Sequence, residues 1–437
     1  MARSRARVKN KVAKSAKAKT KTKVVSDEPT FSFLDLQKEL KKIAPLGSTM
    51  DVNEFSEISD YISSGSYILN ACMTGSIRKG YPNNRSVSLN GPSGVGKTFL
   101  MLNSAKRFQD KGYIIVWYDS ENAVDNELMI KFGLDTTRVW YEPTGTVEAF
   151  RTSATNLTQR LIDAQRKGLT IPKLAIYLDS AGNLPSEKEV RDAESGANKA
   201  DMTRAKMFKS IFRILMNKFA EIKAPFIFSN HTYQTQEMFS QMKAGGGTGP
   251  EYSASIILYM TKAKLSEKSK DDKGKKVTKQ IGNIITVKPN KNRFAKPHQV
   301  KIHLRYDKGM NDYVGLEEYL DWDTVGIGKG IIMPGLEYDK LKGDKKKKSK
   351  EYTTADGEIF HYIPDEKSST IAIKHLNTQV KSNEFYTPEV FTEEVLDLID
   401  ENVKPLFNYG MDEEMPEDDL FVMEDAESEE EEEVEED

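Results

Sequence analysis

The octapeptide GPSGVGKT, Gly91 to Thr98, limits what this chain can fold into more than any other stretch. It matches G-x-x-x-x-G-K-[ST] and stands between an apolar run, SVSLNG, and an amphipathic segment. That is the strand, loop and helix setting in which backbone N–H groups turn inward around a phosphate. Gly91, Pro92, Ser93, Gly94, Val95 and Gly96 would then form the cradle. Lys97 would reach the β and γ oxygens of a nucleotide, and the Thr98 hydroxyl would ligate Mg²⁺.

Around this motif, short apolar runs alternate with amphipathic stretches, the pattern of an α/β fold with a mostly parallel central sheet. Strands are expected at 86–91, 113–119, 174–179, 225–230 and 255–260, and helices at about 97–110, 124–132, 147–166 and 202–221. In the last of these Met207, Ile211, Leu215 and Phe219 recur every four residues as a core-facing stripe. Beyond residue 260, KAKLSEKSKDDKGKKVTKQ reads as an exposed hairpin tip, with NIITVKP and HQVKIHLRY as strands after it. Residues 321–408 read as a small C-terminal domain of mixed helix, interrupted by the polar stretch 341–358.

Composition excludes several classes. No apolar run approaches the roughly 20 residues of a membrane span, and no apolar segment follows the basic N-terminus as a secretory signal requires. Cys72 is the only cysteine, so no intrachain disulfide or cysteine-rich zinc site can form, which suits a reducing, cytoplasmic setting. The net charge of -3 conceals an asymmetry: residues 1–23 carry 10 Lys and Arg and no acid, whereas 411–437 carry 17 Asp and Glu and no base. Like-charge runs of this kind are expected to stay disordered. The acidic one either keeps the chain soluble or competes, as a polyanion mimic, for a basic groove that binds nucleic acid.

A nucleotide hydrolase also needs carboxylates beside the metal and the attacking water. KLAIYLDS ends an apolar strand in Asp179, placed to hold Mg²⁺ through water. VWYDSENAVD ends another, with Glu121 the candidate for polarising water and Asp119 either a site carboxylate or a hydrogen-bonding strand terminus. Ends of adjacent parallel strands share the rim where such sheets bind ligands. Together these residues point to Mg-ATP hydrolysis.

The strand PFIFSN ends in Asn230, and His231 opens a long, nearly uncharged stretch that reaches three consecutive glycines. DMTRAKMFKSIFRI (201–214) and NHTYQTQEMFSQMKAGGGTGPEYSA (230–254) closely resemble the UvsX-type recombinases of large tailed bacteriophages, within the RecA class of strand-exchange ATPases. The resemblance spans about 55–320 and implies a RecA-like ATPase core there, preceded by a basic arm (1–28) and an oligomerisation segment (29–54), and followed by a small domain (321–410) and an acidic tail (411–437). It makes Glu121 the catalytic glutamate and His231 the sensor of the γ-phosphate, where RecA has glutamine, although His231 also reads as a histidine satisfied at a strand end. Lys291 and Arg293, in VKPNKNRFAKP, would reach a neighbour's ATP, although the same residues also read as part of a basic hairpin. By position FSFLDLQKEL would dock one protomer on the next, although its phenylalanines also read as packing onto their own core. Where RecA stacks a tyrosine on adenine this chain has Leu128, while Asp125 remains able to accept from the adenine amino group.

The resemblance places two DNA loops at 183–200 and 232–248. In the second, Gln234, Gln236 and the backbone of Gly245, Gly246 and Gly247 would bond phosphates. Thr232, Tyr233, Met238, Phe239 and Met242 would contact, wedge between or stack on bases, with Lys243 the loop's one cation. Arg204, Lys206 and Lys209 on the helix that follows the first loop are further candidates, though they also read as a solvated face. The implied function is an ATP-dependent DNA recombinase that forms a helical filament on single-stranded DNA, pairs it with duplex and exchanges strands in recombination, repair and replication. Its implied partners are both forms of DNA, further copies of itself, a single-strand-binding protein and a loader, and its location the host cytoplasm if phage-encoded. Two other readings share the phosphate loop: a ring-forming, helicase-like motor of the same class, and a non-catalytic ATP-dependent DNA-binding mediator.

Overall fold

The computed structural model describes residues 32–44, 47–52, 57–196, 203–234, 242–244, 253–270, 276–341, 348–382 and 384–409, with backbone alone at 233–234, 242–244, 268–270 and 276. Both charged tails lie outside the described residues. The chain divides into two compact units, Met1–Glu54 and Phe55–Asp437. In the first, Ser32 caps helix α1 (Phe33–Ile43) by accepting from the Asp35 N–H. Phe33, Leu36, Leu40 and Ile43 recur along α1 at helical spacing, and all four are exposed.

The second unit opens with a two-stranded ribbon, β1 (Tyr61–Ile62) with β2 (Tyr81–Pro82), and the buried helix α2 (Tyr67–Thr74) between them. Burial pushes the Cys72 thiol on α2 up to about 12, as for an inert core cysteine. The parallel core follows: β3 (Ser86–Gly91), α3 (Lys97–Asp110), β4 (Ile114–Asp119), α4 (Asn126–Lys131), β5 (Val139–Pro143), α5 (Val147–Arg166), β6 (Leu174–Asp179), α6 (Glu187–Glu194), α7 (Thr203–Glu221) and β7 (Phe226–Gln234). A short β8 (Met242–Ala244) pairs with β7. The long strands β9 (Ile256–Lys270) and β10 (Lys276–Asn292) form an antiparallel ribbon that continues into β11 (Val300–Arg305) and β12 (Gly309–Met310). The sheet order is β12-β11-β10-β9-β3-β7-β6-β4-β5, parallel from β9 to β5.

Alternation along the strands builds two cores. Ile115, Trp117, Ala175, Tyr177 and Ile227 face a core shared with α2 and α3, while Val116, Tyr118, Ile176, Leu178, Phe226 and Phe228 face one shared with α5 and α7. The stripe expected on α7 is buried at Ile211, Leu215 and Phe219, with Met207 packed at its edge.

Residues 321–408 depart from the mixed-helix expectation. They hold a five-stranded antiparallel sheet of β13 (Ile327–Pro334), β14 (Lys350–Thr353), β15 (Ile359–Pro364), β16 (Thr370–Ile373) and β17 (Thr378–Lys381), ordered β14-β15-β13-β16-β17. A one-turn helix, α8 (Gly335–Tyr338), follows β13, and one long helix, α9 (Glu393–Phe407), closes the region. These strands pair only with one another over an aromatic cluster in which Trp322 stacks on Tyr362 at 3.8 Å between ring centroids. α9 ties the region to the core: Asp400 accepts from the Ser76 hydroxyl at 2.8 Å and the Ile77 N–H at 2.7 Å. Among the described residues no helix is long and apolar enough to cross a membrane.

Candidate functional site

The parallel strands bring the site residues together because their C-terminal ends meet one rim. Gly91 on β3 is in register with His231 on β7, and Asp119 on β4 with Asp179 on β6. Between β3 and α3 the backbone is left-handed at Gly94 (φ 67°) and Gly96 (φ 109°), conformations that cost glycine little. A Cβ on Gly91 would lie 2.9 Å from the Met260 carbonyl of β9, so that position requires the close approach only glycine allows.

Lys97, 6% exposed, folds over the loop and donates from Nζ to the carbonyls of Gly91 (2.9 Å) and Pro92 (3.1 Å). Burial pushes its ammonium below the ordinary lysine value, against the pull of Glu121 and Asp179. Thr98 Oγ1 donates to Asp179 Oδ2 at 2.6 Å, and the Ser229 hydroxyl donates to Oδ1. Burial holds the Asp179 carboxyl above the usual carboxylate range, and the nearby charges of Glu121 and Asp119 reinforce the rise over the opposing hydrogen bonds. One hydroxyl and one buried carboxylate suit a hard, oxygen-seeking cation that takes its other ligands from phosphate and water. Among the described residues no group of three or more His, Cys, Asp or Glu gathers to hold a metal, so a divalent ion here would depend on the nucleotide.

Glu121 Oε1 accepts from the Ser180 hydroxyl at 2.6 Å and faces His231 Nε2 at 2.7 Å. Burial would raise this carboxyl, but the bonds from Ser180 and His231 and the pull of His231 and Lys97 outweigh it and hold it below the usual range. His231 Nδ1 lies 3.5 Å from Lys97 Nζ. An imidazole with its proton on Nε2 therefore donates to the carboxylate and accepts from the lysine. Asp119 is a hydrogen-bonded strand terminus: it accepts from the N–H groups of Glu121 (2.8 Å), Ala123 (3.1 Å) and Val124 (3.4 Å) and from the Tyr141 hydroxyl (3.2 Å), shaping the turn that presents Glu121. Asp125 caps α4, its Oδ1 accepting from Leu128 N–H at 2.7 Å, and lines a cavity of about 260 Å³ with Tyr141.

β7 runs past His231 into the expected second DNA loop, where Thr232 pairs with Ala244, Tyr233 with Lys243 and Gln234 with Met242. The loop thus leaves and returns through a short antiparallel clamp. Gln236, Met238, Phe239, Gly245, Gly246 and Gly247 lie outside the described residues, as do the side chains of Tyr233, Gln234, Met242 and Lys243. In the expected first loop, α6 starts with a reciprocal box between Ser186 and Glu189, and residues 197–200 lie outside the description. Arg204 turns inward: Nε donates to the Leu184 carbonyl at 2.7 Å and Nη2 to that of Gly182 at 2.6 Å. That geometry makes Arg204 a brace between α7 and the segment after β6, whereas Lys206 is exposed.

Lys291 and Arg293 lie apart from this cluster. β10 runs opposite to β3, and its last residue, Asn292, pairs with Ile256 at the start of β9, which puts both cations at the rim away from the chain's own phosphate loop. Two residues escaped the sequence reading. Ser180 is buried and orients Glu121. Lys262 Nζ donates to the carbonyls of Ser93 (3.2 Å) and Gly94 (2.9 Å), because β9 continues beyond the end of β3 and overhangs the loop. Period-two alternation carried past residue 260 would have placed Lys262 on a strand.

Residues 35–311 match the family model described as the RecA N-terminal domain. A recombination and repair protein of Enterobacteria phage T4 is 33% identical over 287 residues, 64% of this chain and 69% of that protein. Protein RecA of Lactococcus lactis subsp. lactis is 26% identical over 351 residues, 78% of this chain and 84% of its own length. Protein RecA of Treponema denticola is 26% identical over 308 residues, 69% of each.

Proposed function

The chain belongs to the RecA family of recombinases, and from that membership we propose that it polymerises on single-stranded DNA with Mg-ATP, pairs the strand with homologous duplex, exchanges strands and hydrolyses ATP to release them. The backbone of Gly91 to Gly96 and Lys97 bind the phosphates, and Asp125 borders the base. Thr98 and Asp179 would hold Mg²⁺, which when bound neutralises charge on the β and γ oxygens. Glu121 orients and polarises the attacking water, Ser180 holds Glu121 in place, and Lys291 and Arg293 act on the nucleotide of the next protomer. Self-association draws on α1, whose exposed Phe33, Leu36, Leu40 and Ile43 suit an apolar groove on a second copy. The loop from 232 to 248 contacts DNA without reading base edges, so homology is tested by base pairing itself.

The observation that carries this reading is the 2.7 Å contact between His231 and Glu121. His231 lies on the same strand as the DNA loop, one residue before it, so a shift of the loop on DNA reaches the carboxylate that works on water. The test is ATP hydrolysis with and without single-stranded DNA, with electron microscopy of the same samples. Expected are DNA-stimulated turnover and helical filaments, with the stimulation lost in His231→Ala. Closed rings would transfer the reading to a motor, and DNA binding without turnover to a mediator.

A further inference from the structure

Arg85 immediately precedes β3, at the rim opposite the phosphate loop. Its carbonyl accepts from the Phe226 N–H at 3.1 Å, and its Nη1 donates to Asn84 Oδ1 at 2.6 Å, which fixes the side chain where β3 and β7 begin. Arg85 and Arg293 line one cavity of about 140 Å³, whose other polar lining is Asn84, Ser86, Ser253 and Ser255. Asn84 and Ser86 are each 4% exposed and Ser255 is 5% exposed, so the polar lining belongs to the fold rather than to the open surface. Among the described residues that line it there is no carboxylate. Burial and the neighbouring Arg293 together make both Arg85 and Lys291 easier to deprotonate than usual. Cations gathered in this way repel one another, and an oxyanion between them converts the repulsion into charge-assisted hydrogen bonds. The polar side of the cavity offers guanidinium, amide and hydroxyl donors, the set that a phosphate-sized oxyanion takes.

We propose that Arg85 and Arg293 form an oxyanion pocket for a phosphoryl group presented by another molecule. The chain's own loop cannot supply it: β3 separates the two rims by six residues, about 20 Å of extended strand. The inference rests on the reading of Lys291 and Arg293 as cations that act on a neighbouring protomer, and adds Arg85 and its amide and hydroxyl surround to that role. The phosphoryl group comes either from the nucleotide of the next copy or from free phosphate. In the first case Arg85 serves a reaction centred on a loop it does not carry.

Full-length Arg85→Ala, Arg85→Lys and Arg293→Ala are assayed for DNA-stimulated ATP turnover, alone and mixed in equal amounts with Lys97→Ala. Arg85→Ala is expected to lose at least about tenfold in turnover and Arg85→Lys to recover only part of it, since lysine supplies charge without the guanidinium fork. Mixing Arg85→Ala with Lys97→Ala is expected to restore up to roughly a quarter of wild-type turnover, the share of random head-to-tail contacts at which an intact loop meets an intact pocket. Wild-type turnover in Arg85→Ala overturns the proposal. So does rescue of Arg293→Ala but not of Arg85→Ala, which would make Arg85 a brace within its own chain. If neither is rescued, the neighbour's nucleotide is not the source and the reading of Lys291 and Arg293 fails too. The pocket then stands only if inorganic phosphate raises the melting temperature of Lys97→Ala but not that of the Lys97→Ala, Arg85→Ala double variant.

Discussion

Three ionisable groups within one rim are pushed in different directions by their surroundings. Lys97 and Asp179 are both held toward their neutral forms by burial, while Glu121 is held toward its charged form by Ser180 and His231. Asp179 gives a prediction with a definite sign. Its carboxyl is raised above 3.8 in the folded chain, so as pH rises the unfolded chain releases the proton first, and stability falls between that value and the raised one. Asp179→Asn is therefore expected to melt at a higher temperature than the parent at pH 7, with the gap closing as pH falls toward 4, while turnover is lost. A lower melting temperature at pH 7 would mean that the bonds from Thr98 and Ser229 outweigh the cost of burial. Lys262 gives a second. Its two acceptor carbonyls lie at the surface, so Lys262→Ala should leave stability unchanged but loosen the loop, raising KM for ATP about threefold to tenfold, on the order of 1 kcal/mol, with little change in kcat. Lys262→Arg should restore KM, and an unchanged KM in Lys262→Ala would remove the residue from the site.

At the level of elements, the core was legible where burial imposes a regular period. The runs at 86–91 and 174–179 and the helices at 97–110 and 147–166 coincide with β3, β6, α3 and α5, because strands covered on both faces read as continuous apolar runs. β9 and β10 were cut short in the sequence reading. Beyond the core most of their residues are polar, and the strands persist there through pairing with each other, Leu265 with Gly282 and Lys279 with Glu267. The C-terminal sheet was missed for a related reason: its strands are buried at only some positions, so they carry no continuous apolar run like β3 and β6, and their stability comes from partners distant in sequence. α9 holds that sheet to the core through Asp400, which is 7% exposed. Asp400→Ala would leave the Ser76 hydroxyl and the Ile77 N–H buried without their acceptor and is expected to cost about 2–4 kcal/mol in chemical denaturation. Asp400→Asn keeps an acceptor and should cost less, and equal losses in the two variants would point to Lys404, whose Nζ lies 3.4 Å from Asp400 Oδ2, as the important partner.

For the whole molecule, the two rims of one sheet carry different groups. One carries the phosphate loop, Glu121 and His231, and the other carries Arg85, Lys291 and Arg293, so the proposed activity belongs to stacked copies rather than to one chain. Deleting residues 411–437 removes 17 acidic side chains and no base, and is expected to tighten duplex binding and steepen its salt dependence. Unchanged affinity and salt slope would leave the tail a solubilising role alone. The sequence by itself determined the phosphate loop, the carboxylates at two strand ends and the helices between, since these depend on local hydrogen bonding and on a period that burial imposes on neighbouring residues. Only the tertiary structure decided which strand ends are adjacent. The contact between Glu121 and His231, the hold of Ser180 on Glu121, the overhang of Lys262 and the cavity that Arg85 shares with Arg293 all join residues far apart in sequence. They meet through the strand order β10-β9-β3-β7-β6-β4, which is set by pairing between distant strands and is written in no single segment.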